Sequence, residues 1–295
     1  MTAFSAAPPW QPDSLQLDES LRRFLTEDIG HGDLTATLML EANATARFEM
    51  VAREPMTLAG LSVAARAFQR YDDRIDVERL ASDGDRLAAG TPLLALQGAA
   101  RSLLTVERTA LNLIQHLSGI ATLTARYVER IAGTAAQLVD TRKTTPGLRA
   151  LEKYAVACGG GRNHRLGLDS GIMLKDNHIA VCGSIEAAVA RARQRAPVLT
   201  RIEVECDRLD QVREALDAGA DMIMLDNMSL AEMSAAVKLA AGQVPLEASG
   251  GVRLETIREI AETGVDFISV GRITQSAPAV DIGLDAPAGA PAAQG

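Results

Sequence analysis

The sequence predicts an α/β protein in two parts: a sheet-containing amino-terminal module, then a run of parallel βα units. Three observations carry that prediction. Between residues 44 and 98, short alternating runs such as Ala46-Arg47-Phe48-Glu49-Met50-Val51 are punctuated by Gly60, Gly84, Gly90 and Gly98, the texture of strands and turns. Apolar residues from Leu103 to Tyr127 then recur at helical spacing, predicting one long helix over 102–131. Beyond it, short apolar runs each stop at a polar or glycine-containing stretch, and most are followed by an amphipathic helix.

Element by element, the chain reads as follows. Residues 1–13 are rich in Ala and Pro and are expected to be disordered. Residues 14–27 form a short helix with Leu15, Leu21, Phe24 and Leu25 on its apolar face. Residues 14–120 make the first domain, in which Asp83-Gly84-Asp85-Arg86-Leu87 is a turn between strands. Residues 121–280 make the second. Its strand runs are 137–139, 172–174, 202–204, 222–225, 244–246 and 267–270, and its clearest helices are 184–196, 209–218, 229–241 and 254–263. These units suit a parallel barrel, complete or open; a doubly wound open sheet is the structural rival. Residues 281–295 are expected to be a mostly disordered tail.

Composition bounds the function. Thirty basic residues against 38 acidic ones give a net charge of -8, which argues against a nucleic-acid binder. No 18-residue apolar run predicts a membrane span, and residues 1–12 lack the basic start of a signal peptide. Cys158, Cys182 and Cys206 are odd in number and widely spaced, fitting neither a disulfide framework nor a zinc site; the expected setting is the reducing cytoplasm.

In a parallel barrel, chemistry collects at the carboxyl ends of the strands. The residues there are Asp140, Lys175, Glu205, Asp226, Ser249-Gly250-Gly251 and Gly271. Local charge reverses as well. Residues 140–175 hold seven basic residues and three acids, a surplus of four in an acidic chain. Arg149 and Lys153 read as a solvated helix face. Arg142, Lys143, Arg165 and Lys175 instead stand at strand ends or beside a Gly-rich loop, where a basic mouth would draw in a small polyanion. Gly159-Gly160-Gly161-Arg162 and Ser249-Gly250-Gly251 are the two candidate phosphate cradles, a bare turn being the alternative for each. Glu205 and Asp226 suit a divalent cation, ribose hydroxyls or a developing positive charge, or ion pairs with neighbouring lysines.

At these motifs the sequence resembles the quinolinate phosphoribosyltransferase family. The matching segments are Glu107-Arg108-Thr109-Ala110-Leu111-Asn112, Asp140-Thr141-Arg142-Lys143-Thr144-Thr145-Pro146-Gly147, Gly159 to Arg165 with its Arg162-Asn163-His164-Arg165 ending, Leu174-Lys175-Asp176-Asn177-His178, Glu203-Val204-Glu205, Leu225-Asp226-Asn227 and Glu247-Ala248-Ser249-Gly250-Gly251. Asp28-Ile29-Gly30-His31-Gly32-Asp33-Leu34-Thr35 also looks like the family, so the resemblance spans about Leu17 to Leu284.

The resemblance implies an N-terminal α/β sandwich domain followed by an open parallel α/β barrel. It implies transfer of phosphoribosyl from phosphoribosyl pyrophosphate (PRPP) to the ring nitrogen of quinolinate, with decarboxylation to nicotinate mononucleotide, in de novo NAD biosynthesis. Arg108, Arg142, His164, Arg165 and Lys175 would hold quinolinate, Lys143 would face the pyrophosphate, and Thr141 would bind substrate as well. Glu205 and Asp226 would take ribose hydroxyls or the Mg2+ that accompanies PRPP. Ser249, Gly250, Gly251, Ser269, Val270 and Gly271 would cradle the 5-phosphate. Lys143, Lys175, Glu205 and Asp226 would be the catalytic set, with no covalent nucleophile. A homodimer, or a hexamer built from it, would bring Arg108 to the partner's site. The rival readings are a ModD-like relative associated with molybdenum transport, a nicotinate or nicotinamide phosphoribosyltransferase, and a non-catalytic anion-binding barrel.

Overall fold

The computed structural model describes residues 11–286. The expected disorder of 1–10 and of 287–295 concerns residues outside that range. In chain order the elements are α1 (Ser14–Ile29), α2 (Leu34–Met39), β1 (Thr45–Ala52), β2 (Met56–Thr57), α3 (Leu61–Tyr71), β3 (Asp76–Arg79), β4 (Arg86–Leu87), β5 (Pro92–Ala99) and α4 (Ala100–Arg130). Then follow β6 (Gln137–Val139), α5 (Arg149–Cys158), β7 (Ile172–Leu174), α6 (Asp176–Cys182), α7 (Ile185–Arg195), β8 (Ile202–Cys206), α8 (Leu209–Asp217), β9 (Met222–Asp226), α9 (Leu230–Ala240), β10 (Leu246–Ser249), α10 (Ile257–Glu262), β11 (Phe267–Ser269), α11 (Arg272–Gln275) and β12 (Ile282–Asp285).

The chain divides into two compact units, but not at one point. The first gathers residues up to Ala125, Thr145–Gly160 and those from Ser276 on; the second holds Arg126–Thr144 and Gly161–Gln275. The contiguous domains expected from sequence are therefore interleaved, and the first cut falls after Ala125, within α4, a few residues beyond 120.

In the first unit, β12-β1-β5-β3 form an antiparallel sheet, and β2 pairs with β4. Residues 282–285 were expected in a disordered tail; they instead pair with β1, with Met50 opposite Leu284 and Ala52 opposite Ile282. Burial of Ile282 drives that pairing. The start of α3 is capped from a distance: Asp83 Oδ1 accepts from the Leu61 N–H at 2.8 Å, and its Oδ2 accepts from the Tyr154 hydroxyl at 2.7 Å. Burial raises the Asp83 pKa against the pull of those donors.

The short helix α5 is buried on every face from Leu151 to Cys158. Lys153, expected on a solvated face, is wholly buried. Glu152 is buried too, and accepts from the Thr145 N–H at 3.1 Å and meets His116 Nε2 at 2.9 Å. Amphipathic periodicity does not describe a helix enclosed all round. Gly159 ends α5 where a Cβ would stand 2.5 Å from the Ala121 carbonyl oxygen. Its N–H bonds to Ala155 O and that of Gly160 to Ala157 O. These glycines therefore serve close helix approach and capping, not an anion cradle.

The second unit is a six-stranded parallel sheet in the order β6-β11-β10-β9-β8-β7. Consecutive strands are neighbours from β7 to β11, and β11 returns to pair with the first strand, β6. That is the cyclic order of a barrel with one seam open between β6 and β7; a doubly wound sheet would place its first strand in the middle. Arg162 partly covers the seam by a parallel bridge to Val139. The fifth strand begins at Leu246, not Val244, since Pro245 has no N–H to give a ladder.

Candidate active site

Because the six strands are parallel, their carboxyl ends share one mouth. Asp140 follows β6, and Lys175 follows β7 as the N-cap of α6. Glu205 lies one residue from the end of β8, while Asp226, Ser249 and Ser269 are the last residues of β9, β10 and β11. The strand-end expectation thus converges on one place.

Two adjoining cavities occupy it. The larger, about 410 Å³, is lined by Thr141, Arg142, Lys143, His164, Arg165, Lys175, Glu205, Asp226, Ser249 and Ser269, with Asp140, Met173, Met224 and Glu247. The smaller, about 240 Å³, is lined by Gly250, Gly251, Val252, Arg253, Val270, Gly271, Arg272 and Gln275, and shares Thr141, Lys143, Ser249 and Ser269 with the first. Every second-unit residue expected at the site reaches one cavity or both. Arg108 stands on the exposed side of α4 in the first unit.

Arg142 and Arg165 share one wall of the larger cavity. Burial lowers the Arg165 pKa and the charge of Arg142 lowers it further. The Arg165 guanidinium is aimed by the Gly171 carbonyl, which accepts from Nη1 at 2.9 Å. Lys175 Nζ is ion-paired with Glu205. Asp226 Oδ2 accepts from the Asn227 side chain at 2.8 Å. Across the two cavities Arg142, Lys143, Arg165, Lys175, Arg253 and Arg272 outnumber Asp140, Glu205, Asp226 and Glu247, so a polyanion is the complementary occupant.

The smaller cavity depends on glycine. Gly250 and Gly251 both have positive φ, 91° and 62°. A Cβ on Gly250 would lie 2.2 Å from Asn227 Oδ1, and one on Gly271 would lie 2.6 Å from Lys143 Cδ. Gly250→Ala is expected to cost about 2 kcal/mol and to lower Tm by about 5 °C, measured by thermal unfolding. An unchanged Tm would show that the loop can relax. The buried Ser269 hydroxyl has no hydrogen-bond partner among the described residues and opens on both cavities. Val270 contributes wall only, since its N–H is bonded to Val139 O at 3.0 Å. Ser249-Gly250-Gly251 does not lead straight into a helix, because α10 starts at Ile257.

His164 departs from expectation. Its Nε2 stands 3.1 Å from Glu203 Oε2 and 3.3 Å from Glu247 Oε2, while Nδ1 accepts from the Arg165 N–H at 2.7 Å. Neither ring nitrogen is left to bind a substrate carboxylate, so His164 forms wall rather than a charged ligand. Burial works against a charged ring, but hydrogen bonds to the two acids and their charges prevail and raise the pKa to about 10. Both ring nitrogens are thus engaged within the protein, Nε2 toward the two acids and Nδ1 toward the Arg165 N–H. Burial, with the charge of Glu247 adding to it, raises the Glu203 pKa against the hydrogen bond from His164.

Asp140 positions this loop. Fully buried, it accepts from Asn163 Nδ2 at 2.7 Å and from the His164 N–H at 2.8 Å. Glu203 and Glu247 received no role from the sequence. The available signal was an acid inside an apolar strand, Ile202-Glu203-Val204 and Leu246-Glu247-Ala248. With period two, Glu203 lies one layer below Glu205, and Glu247 one layer below Ser249. His116 meets Glu152, and Nδ1 of His178 accepts from the Lys175 N–H at 3.1 Å.

Known proteins resemble this chain. The family described as quinolinate phosphoribosyl transferase matches with its N-terminal domain over residues 33–118 and its C-terminal domain over 120–285. A probable nicotinate-nucleotide pyrophosphorylase [carboxylating] of Synechocystis is 47% identical over 281 residues, covering 94% of this chain and 93% of the relative. The nicotinate-nucleotide pyrophosphorylase [carboxylating] of Mycobacterium leprae is 45% identical over 273 residues, covering 90% and 96%. The crystal structure of NadC from Streptococcus pyogenes superposes with a TM-score of 0.90 at 43% identity, covering 94% of this chain and 98% of that one.

Proposed function

The chain belongs to the quinolinate phosphoribosyl transferase family, and on that premise we propose how its barrel mouth works. It is a nicotinate-nucleotide pyrophosphorylase (carboxylating), a pentosyltransferase of de novo NAD biosynthesis. It joins quinolinate and PRPP and releases nicotinate mononucleotide, pyrophosphate and CO2. The observation that carries the reading is the Arg142–Arg165 pair on one wall of a cavity about 410 Å³ in volume. Two guanidiniums lining one cavity, with the charge of Arg142 lowering the Arg165 pKa, are best answered by two adjacent carboxylates, and nicotinate has only one.

Arg142, Arg165 and Lys175 take the quinolinate carboxylates, with Thr141 beside them. Ser249, Gly250, Gly251, Ser269 and Gly271 receive the 5-phosphate, with Val270 as wall, and Lys143 faces the pyrophosphate. Arg272 and Gln275 line the same cavity. Mg2+ enters with PRPP as part of that substrate. Asp226 is a hard oxygen donor of the kind Mg2+ takes. Glu205, already paired with Lys175, is better suited to ribose hydroxyls.

The ring nitrogen attacks the anomeric carbon as pyrophosphate departs. The carbon becomes oxocarbenium-like, and Asp226 and Glu205 stabilise it through space. The bond from ring C2 to its carboxylate then breaks, and the electron pair remains beside the pyridinium nitrogen. Alignment and charge supply the acceleration. A homodimer, or a hexamer built from it, completes each site with the partner's copy of the exposed Arg108. Among the described residues no helix is long and apolar enough to cross a membrane. The three free cysteines accord with a cytoplasmic setting.

The test incubates purified protein with PRPP, Mg2+ and either quinolinate or nicotinate, and follows product by mass spectrometry. Nicotinate mononucleotide and CO2 are expected from quinolinate, with no mononucleotide from nicotinate. Turnover of nicotinate would overturn the two-carboxylate reading. No turnover of either, in a folded sample, would overturn the reaction and favour an anion-binding role.

A further inference from the structure

The last step leaves an electron pair on ring C2 that must take up a proton. Lys143 and Lys175 carry protons but are committed to anions, Lys175 in an ion pair with Glu205, and Glu205 and Asp226 act as carboxylates. One layer lower lies the cluster that the reaction above does not use. Glu247 is fully buried and lines the 410 Å³ cavity; both its oxygens lack a well-directed hydrogen-bond partner among the described residues. Glu203 Oε1 is likewise without one.

A second cavity, about 230 Å³, lies on the other side of the same cluster. It is lined by Glu203, His164 and Glu247 together with Ser170, Gly171 and Arg162, so it belongs to the seam between β6 and β7. Glu247 borders both cavities, whereas Glu203 borders the seam cavity alone. The pair thus separates a space that substrate fills from one that it does not.

We propose that Glu247 is a catalytic acid that protonates ring C2 after CO2 leaves, and that its proton is replaced through Glu203 from the seam cavity. This rests on the reaction proposed above. The balance is simple: the C2–carboxylate bond breaks heterolytically, CO2 departs, the electron pair on C2 takes the Glu247 carboxyl proton, and the resulting carboxylate is reprotonated from solvent by way of Glu203. His164, with its single proton turned toward both acids and Nδ1 held by the Arg165 N–H, is a positioning residue that keeps the pair together. A supply from below has a physical advantage, because bound dianion closes the mouth to water.

The experiment is rapid-quench kinetics with quinolinate, PRPP and Mg2+, reading pyrophosphate, CO2 and the undecarboxylated mononucleotide separately. Glu247→Gln is expected to release pyrophosphate in a first turnover yet slow CO2 release at least about 100-fold, since CO2 recombines with an unprotonated C2. The dicarboxylate mononucleotide should accumulate to about one equivalent per site, a readout that a merely structural role would not produce. Glu203→Gln keeps the donor and should give a normal first turnover of CO2 followed by a slow steady state; it also decides the matter where Glu247→Gln fails to fold. Loss of pyrophosphate and CO2 together in folded Glu247→Gln, or wild-type kinetics in both variants, overturns the proposal. A wild-type protein that releases no pyrophosphate would instead overturn the reaction itself, so the two failures are distinct.

Discussion

Arg142→Ala is expected to lower kcat/KM for quinolinate about a thousandfold, because truncating one member of a desolvated charge pair costs about 2–5 kcal/mol. The argument starts from the wall Arg142 shares with Arg165. Each guanidinium opposes the other's charge, and burial lowers the Arg165 pKa. A dianion removes that opposition as it binds. With Arg142 gone, one carboxylate enters a half-buried cavity unpaired. The loss is partly offset, since Arg165 no longer faces a like charge. Arg142→Lys keeps the charge but loses the planar fork, and is expected to remain about tenfold or more below wild type. Steady-state kinetics with quinolinate varied at saturating PRPP make the measurement. A near-normal kcat/KM in Arg142→Ala would remove this residue from the site.

Asp226→Asn is expected to lower kcat about 100- to 1,000-fold while leaving the KM for quinolinate within a few-fold of wild type. The substitution is isosteric and removes one charge. Asp226 is the cleaner test of the two acids, because Glu205→Gln would also release Lys175. Its effect belongs to the first chemical step, so pyrophosphate release in a single turnover should slow as much as overall turnover. Unchanged pyrophosphate release would mean that positive charge at the anomeric carbon is stabilised elsewhere.

Much of this site was legible because polar residues ending apolar runs have nowhere to go in a parallel barrel except the mouth. Lys175, Glu205, Asp226 and Ser249 were found that way; Ser269, inside the run 267–270, came only with the family resemblance. The cyclic strand order was not legible, since periodicity reports each strand but not its neighbour. Glu203 and Glu247 escaped for a related reason. In strands of four or five residues, an inward acid among apolar neighbours looks like a break in the run, and only the pairing reveals an inner ring. Lys153 was misassigned because a charge on a short helix reads as solvated until the surroundings are known. Gly159-Gly160-Gly161 looked like a phosphate loop, yet the same composition serves a helix that must end against a neighbouring backbone. His164 lay in the correct motif, and what decided its role was the orientation of its two nitrogens.

The pairing of β12 with β1 has a consequence for the birth of the protein. Val51 and Gly283 are register partners, so one edge of the first sheet waits for a strand made some 230 residues later. At about 5–20 residues per second, a ribosome leaves that edge unclaimed for roughly 10–50 s. An open edge of that length invites pairing with another nascent chain. Arg47, Glu49 and Arg53 along and just beyond β1 are the charges that discourage it. On this view the last strand acts as a completion signal. Translation halted upstream of residue 282 would yield a polypeptide whose catalytic barrel can be whole while its first sheet stays unfinished and adhesive.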